Sequence, residues 1–202
     1  ISEEMLELQT KGESWDGMAV LFRTNDQSRV LEQEFRKKRI PYRIIGARSF
    51  FDRREVKDIL AYLHVLDSVD DDVSLLRILN TPTRGIGPST AELARTHSME
   101  KKCSVFAALR DPEFQELLSE RLKLIVRNFV DMISLYSSLV HQPLQPIAPL
   151  TEKLLMEIGY EDYLKKQAKK PEDLEPWMAG MKLLLTQLAN FDERSPRQTL
   201  RD

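Results

Sequence analysis

After Gly46 the hydrophobic pattern of this chain becomes helical and does not revert, which confines most of its 202 residues to an α-helical architecture. Val56, Ile59, Leu60, Leu63 and Leu66 have the spacing of one helix face, and Leu75, Leu76, Ile78 and Leu79 follow the acidic turn Asp70-Asp71-Asp72, which suits a helix N-terminus. Leu118, Leu122, Ile125, Phe129, Met132, Tyr136 and Leu139 recur every three or four residues and predict a long amphipathic helix that stops before Pro143. Pro143, Pro146 and Pro149 read as a linker. Further helices are predicted over 147–158, 161–167 and 176–191, with residues 169–173 as an exposed connection.

The first fifty residues follow another pattern. Met18-Ala-Val-Leu-Phe-Arg23 is a short, nearly continuous apolar run, as in a strand buried on both faces of a parallel sheet. Asn25 or Asp26 can cap a helix whose apolar face carries Val30, Leu31 and Phe35, and which ends near Lys37-Lys38-Arg39, before Pro41. Tyr42-Arg-Ile-Ile45 reads as a second strand. The expected fold class is therefore α/β but mostly α-helical: a βαβ unit followed by an all-helical region.

Hydrophobic residues at 42% and charged ones at 31% supply a core without the bias of a disordered chain. No apolar run approaches the ~20 residues of a membrane span, and the N-terminus lacks the pattern of a signal peptide. The chain starts at Ile1, which is the mark of a fragment or a processed product. Cys103, the single cysteine, excludes an internal disulfide, and His64, His97 and His141 lack zinc-site spacing. Asp70-Asp71-Asp72 lacks the glycine and distal glutamate of a calcium loop, so it reads as a helix cap. A net charge of −2 argues against a uniformly basic nucleic-acid binder, yet between Val20 and Leu60 eleven basic residues face six acidic ones.

Three segments could carry chemistry. Arg23, at the carboxyl end of a predicted parallel strand, would face the crevice where open α/β sheets bind ligands, with Phe22 beside it to stack on a base; a core Phe22 and a solvated Arg23 fit the same pattern. In Phe50-Phe-Asp-Arg-Arg-Glu-Val-Lys-Asp58, the aromatics could support bases while Arg53, Arg54 or Lys57 reach phosphates, or the rings could seat the helix while the charges pair on its surface. In Asn80-Thr-Pro-Thr-Arg-Gly-Ile-Gly-Pro-Ser-Thr-Ala91, Gly85 and Gly87 permit a tight hairpin, Ile86 can plug it into the core and Pro88 can open the next helix. Backbone N–H groups there, the hydroxyls of Ser89 and Thr90, and Arg84 could hold a phosphate without reading sequence; an ordinary structural turn would use the same glycines. The chain contains no GxxxxGK[ST] phosphate loop.

In their order, Ala19-Val-Leu-Phe-Arg-Thr-Asn-Asp-Gln-Ser-Arg29, Ile40-Pro-Tyr-Arg-Ile-Ile-Gly46, Phe50 to Asp58, Ala61-Tyr-Leu63, Asp70-Asp-Asp72 and the glycine hairpin resemble the UvrD/Rep/PcrA family of superfamily 1 DNA helicases, in register from about Ala19 to Leu93. Ile158-Gly-Tyr-Glu-Asp-Tyr-Leu164 is similar to a stretch of that family's helical accessory domain. The resemblance implies that residues 1–115 are the first half of the RecA-like motor domain 2A and residues 116–202 the N-terminal part of accessory domain 2B, a fragment incomplete at both ends. It implies an ATP-dependent 3′–5′ DNA helicase of replication or repair, with ATP and Mg2+ in the intact enzyme and none bound to a fragment that is inactive by itself. Phe22, where the family usually has Tyr, would stack on adenine; Arg23 would contact the γ-phosphate as the one catalytic residue here. The hairpin, and Arg95 on the helix after it, look like backbone-facing DNA contacts. The implied partners are single-stranded DNA, the single-strand/duplex junction and repair or replication proteins, in a bacterial cytoplasm near the nucleoid and away from membranes. A stand-alone helix-hairpin-helix DNA-binding module would need only the hairpin, and an α-helical protein-interaction domain would need neither the hairpin nor Phe22 and Arg23.

Overall fold

A computed structural model describes residues 1–23, 25–45 and 50–194. Thr24, residues 46–49 and 195–202, and the side chains of Asn25 and Asp26 that the sequence offers as a cap, lie outside the described residues. The chain divides into two compact units, Ile1–Arg53 and Arg54–Asp202.

In the first unit, helix α1 (Ser2–Thr10) precedes α2 (Asn25–Lys37), with single 3₁₀ turns at Trp15–Gly17 and Phe50–Asp52. Helix α2 is the helix predicted from the sequence, and it ends with Arg36 and Lys37 where cations complement the helix dipole. Its buried side is made by Ser28, Glu32 and Phe35, whereas Val30, predicted to face inward, is 54% exposed. The βαβ unit is not present: among the described residues there is no strand, residues 18–22 and 41–44 carry no regular structure, and Leu21 and Ile45 stand almost wholly in solvent. A strand exists only through its ladder, and a parallel pair of two short strands without a wider sheet closes too few hydrogen bonds to hold itself. Only the helix of the predicted unit forms from local signals alone.

Among its described residues the second unit contains helices and the loops that join them, with no strand. It contains α3 (Arg54–Asp67), α4 (Asp72–Ile78), α5 (Pro88–Lys101), α6 (Val105–Arg110), α7 (Pro112–Glu116), α8 (Glu120–Val140), α9 (Ile147–Glu157), α10 (Tyr160–Gln167) and α11 (Pro171–Arg194). The starts of these helices follow capping chemistry. Asp71, Ser104, Asp111 and Ser119 accept from the backbone N–H of Ser74, Ala107, Glu113 and Leu122, at 3.1, 3.2, 3.0 and 3.4 Å. The acidic run is a double cap, because Asp72 Oδ1 also accepts from Val105 N–H at 2.7 Å and so binds the start of α6. Helix α11 begins five residues before the predicted 176 because Pro171 sits in its first turn, and Pro176, early in the helix, interrupts only one backbone bond.

Helix α3 packs on α4, α8 and α11, and α8 in turn meets α6 and α9. Tyr62, Val65, Leu75, Ile78, Phe114, Val126, Ile133 and Leu154 belong to one continuous buried cluster. Residues on both sides of position 115 thus share one core, while the compact units part at 53/54.

Candidate nucleic-acid interface

The glycine hairpin joins α4 to α5, and each of its residues has a distinct task. Gly85 has φ +95°, a left-handed conformation that side chains rarely adopt, and it is solvent-exposed. Ile86 next to it is 1% exposed and anchors the turn in the core. Asn80 Oδ1 accepts from the backbone N–H of Arg84 at 2.9 Å and of Gly85 at 3.2 Å, closing the loop from inside. Gly87, at φ −77° and ψ 174°, is the N-cap of α5, and its carbonyl accepts from Thr90 and Ala91, each at 3.1 Å. Pro88 takes the first helical position and no side chain caps the helix.

What remains on the surface is narrower than the sequence suggests. Thr90 is buried and the Gly85 N–H is taken by Asn80. Ser89 is exposed, and among the described residues no hydrogen bond engages its N–H or that of Gly87. These two amides and the Ser89 hydroxyl lie at the positive end of a 14-residue helix, where the dipole favours an anion such as a phosphate.

Arg84 points the other way. Its Nη1 donates to the carbonyls of Ile78 at 2.8 Å and Leu79 at 3.1 Å, and its Nη2 to the Tyr62 hydroxyl at 2.6 Å. The guanidinium lies 4.9 Å from the centroid of the Phe129 ring. Tyr62 donates in turn to the Thr81 carbonyl at 2.6 Å; burial raises its phenol above its usual pKa while the Arg84 charge opposes the rise. Arg84 therefore caps the carbonyl end of α4 and ties it to α3 and α8, and its donors are spent inside the fold.

The other cations are placed one by one. Arg95 grips Glu92 one turn before it through Nε at 3.1 Å and Nη2 at 2.8 Å, and that bond holds its charge on. Arg54 bonds the Tyr163 hydroxyl and approaches Asp58 at 3.9 Å. In the other unit Arg53 lies 5.7 Å from the Phe50 ring, and Arg36 sits 4.4 Å over Phe51. Phe22, half-buried, helps line a cavity of about 940 Å³ within that unit together with Trp15, Leu31, Phe35 and Tyr42. Arg23 is exposed, its backbone N–H bonded to Gln27 Oε1 at 2.9 Å, and no described group binds its guanidinium. The structure thus brings Arg84, Gly85, Gly87, Ser89 and Thr90 together and places Phe22, Arg23 and Arg53 in the other unit.

Sequence reasoning missed the buried polar pairs that hold the helical unit. Asp58, on α3, accepts from Arg77 at 2.7 Å and from the Tyr160 hydroxyl at 3.0 Å, joining α3, α4 and α10. Asp192 caps α9 from α11 by accepting from Ile147 and Ala148 N–H at 2.9 and 2.8 Å. His97 Nε2 lies 2.7 Å from Asp111 Oδ2. Acids on the core-facing side of an amphipathic helix, Glu55 and Asp58, were the signal for such a pair. Among the described residues no group of three or more His, Cys, Asp or Glu could hold a metal ion, and no helix is long and apolar enough to cross a membrane.

The family of UvrD-like helicase C-terminal domains matches residues 1–193. A protein of Staphylococcus epidermidis named ATP-dependent DNA helicase PcrA is 35% identical over 201 residues, covering 97% of this chain and 26% of that protein. Its namesake in Staphylococcus aureus is 36% identical over 167 residues, covering 83% of this chain and 22% of that protein. The chain spans about a quarter of the length of these curated relatives.

Proposed function

The chain belongs to the UvrD-like helicase C-terminal domain family, and from that membership we propose that it is part of an ATP-dependent helicase that moves 3′ to 5′ on single-stranded DNA and opens the duplex. The observation that carries this reading is the family match over residues 1–193, supported by 35% identity across nearly the whole chain to a protein named as such a helicase. In this reading residues 1–115 would belong to motor domain 2A and residues 116–202 to accessory domain 2B; the compact units themselves part at 53/54. The two unpaired extended segments beside α2 would be completed as strands by the rest of a RecA-like sheet.

The exposed Arg23 guanidinium fits a nucleotide phosphate, and half-buried Phe22 fits the support of a base. With ATP and Mg2+ bound, Arg23 would set positive charge against the phosphoryl group during transfer and report the nucleotide to the fold. The hairpin would hold DNA backbone through Gly87, Ser89 and the exposed Gly85 turn, so the contact would be independent of sequence. Arg84 would serve by shaping that turn, while Arg53, Arg54 and Arg95, engaged as they are with neighbours, would reach DNA only by changing partners. Repair or replication proteins and a place in the bacterial cytoplasm, at the nucleoid, belong to the same proposal.

The test uses the full-length protein with ATP and Mg2+ on duplexes bearing a 3′ or a 5′ single-stranded tail. Unwinding of the 3′-tailed substrate alone is expected. Equal unwinding of both, or none, overturns the assignment. The 202-residue chain alone is expected to show no DNA-stimulated ATP hydrolysis, because it carries no phosphate loop.

A further inference from the structure

We propose that the carboxyl end of α2 is a binding surface for the phosphate backbone of single-stranded DNA, with Arg39 as its principal contact and Lys37 and Arg43 beside it. This inference rests on the reading of the chain as part of a DNA helicase, and it concerns the first unit, apart from the hairpin.

Helix α2 ends through Arg39. The Arg39 N–H donates to the Arg36 carbonyl at 3.1 Å and the Ile40 N–H to the Phe35 carbonyl at 2.8 Å, a pair of bonds that closes a helix through one left-handed residue. That residue is usually glycine, because a Cβ is strained there, yet here φ is 54° at an arginine. The helix dipole does not require it, since Arg36 and Lys37 already stand in the last turn. A guanidinium at Arg39 therefore gives up stability that glycine would keep, which marks the side chain as serving a role outside the fold. Lys102 ends α5 in the same conformation, φ 52°, but its neighbour Lys101 is spent on Glu113.

At the end of α2 the cations gather on aromatic rings. Arg36 Nε donates to the Tyr42 hydroxyl at 2.8 Å, which draws the segment after Pro41 back to the last turn of α2 and sets Arg43 next to it. The Arg36 guanidinium also covers the Phe51 ring, Phe51 meets Phe50 edge-on at 5.2 Å between centroids, and Arg53 lies over Phe50. Lys37, Arg39 and Arg43 are exposed, and no described residue forms an ion pair or hydrogen bond with their side chains. Against these five cations the neighbouring acids along the chain are Glu34 and Asp52, with Glu32 buried beneath the Tyr42 hydroxyl, so the surface stays positive. Arginine forks fit phosphate oxygens, and half-buried Tyr42 and Phe51 fit bases, so a nucleic-acid strand suits this surface better than an acidic peptide.

The experiment measures binding of the full-length protein to a labelled oligothymidylate by fluorescence anisotropy across a salt series, for wild type, Arg39→Gly, Arg39→Lys and Arg43→Gln, with urea midpoints alongside. Arg39→Gly relieves the left-handed backbone, so it is expected to unfold at no lower urea than wild type. Its slope of log K against log salt should nevertheless fall in magnitude by about 0.7, roughly fourfold in affinity at 0.15 M salt. Arg39→Lys should keep the slope, and Arg43→Gln, which leaves the turn untouched, should lower it as Arg39→Gly does. A wild-type slope in both Arg39→Gly and Arg43→Gln overturns the proposal and leaves these charges to an acidic protein partner, whereas the helicase reading survives as long as wild type binds the strand. A fall in Arg43→Gln alone removes Arg39 as the principal contact. Weaker binding at an unchanged slope also overturns the proposal, since no phosphate contact is then lost. No binding by wild type removes the helicase reading and this inference with it.

Discussion

At Gly85 the absence of a side chain is a backbone requirement, and at Gly87 it is not. Gly85 holds φ +95°, whereas Gly87 sits in ordinary extended backbone with nothing within 4 Å of a built Cβ. Gly85→Ala should therefore cost about 1–2 kcal/mol through backbone strain, while Gly87→Ala should stay within about 0.5 kcal/mol of wild type, as read from urea unfolding midpoints. Equal costs would mean that the turn is not the one described. Arg84 is the second residue whose role the fold decides. Its removal leaves the Tyr62 hydroxyl oxygen and two carbonyls at the end of α4 without the donor they accept from, so Arg84→Ala should destabilise the helical unit by about 2–4 kcal/mol, and Arg84→Lys should recover little because an ammonium cannot reproduce the fork. An unchanged unfolding midpoint together with a lower salt slope for DNA binding would instead make Arg84 a phosphate ligand.

Among the elements, α5 and α7 are joined through Asp111, whose carboxyl the contact perturbs. Asp111 caps α7 and meets His97 of α5, and that hydrogen bond, with the Glu113 N–H behind it, holds its carboxyl below the usual carboxylate range. A carboxylate with a lowered folded-state pKa contributes stability above its unfolded value, about 4, and the contribution fades as pH falls through the folded value. Asp111→Asn keeps a good N-cap but loses the charge. Its melting temperature should lie below that of wild type near pH 6, and the two should converge as the pH is lowered below about 4; a gap that stays constant would show that the pair does not couple folding to protons. The cap at Asp71 was legible in the sequence because a cap needs only its own next three residues. Pairs such as Asp58 with Arg77 and Tyr160 were not, because nothing local announces a partner on another helix.

For the whole molecule, the proposed coupling of nucleotide to DNA places its burden on Arg23. In the full-length protein Arg23→Ala should lower ATP turnover about 10²-fold while leaving the circular dichroism spectrum unchanged, and Arg23→Lys should recover only part of the loss. Turnover near wild type in the alanine variant would return Arg23 to a solvated end of an extended segment.

Helical periodicity, capping residues and the proline start of α5 are consequences of neighbours a few positions apart, and the sequence by itself determined them. The strands at residues 18–23 and 42–45 were equally clear as patterns, but a strand needs a ladder from elsewhere, and no such ladder forms among the described residues. Which hairpin groups face solvent was likewise beyond the sequence. Only the tertiary structure could turn Arg84 inward, because the Tyr62 hydroxyl and the Phe129 ring that receive it come from helices remote along the chain, and only packing brings them to one guanidinium.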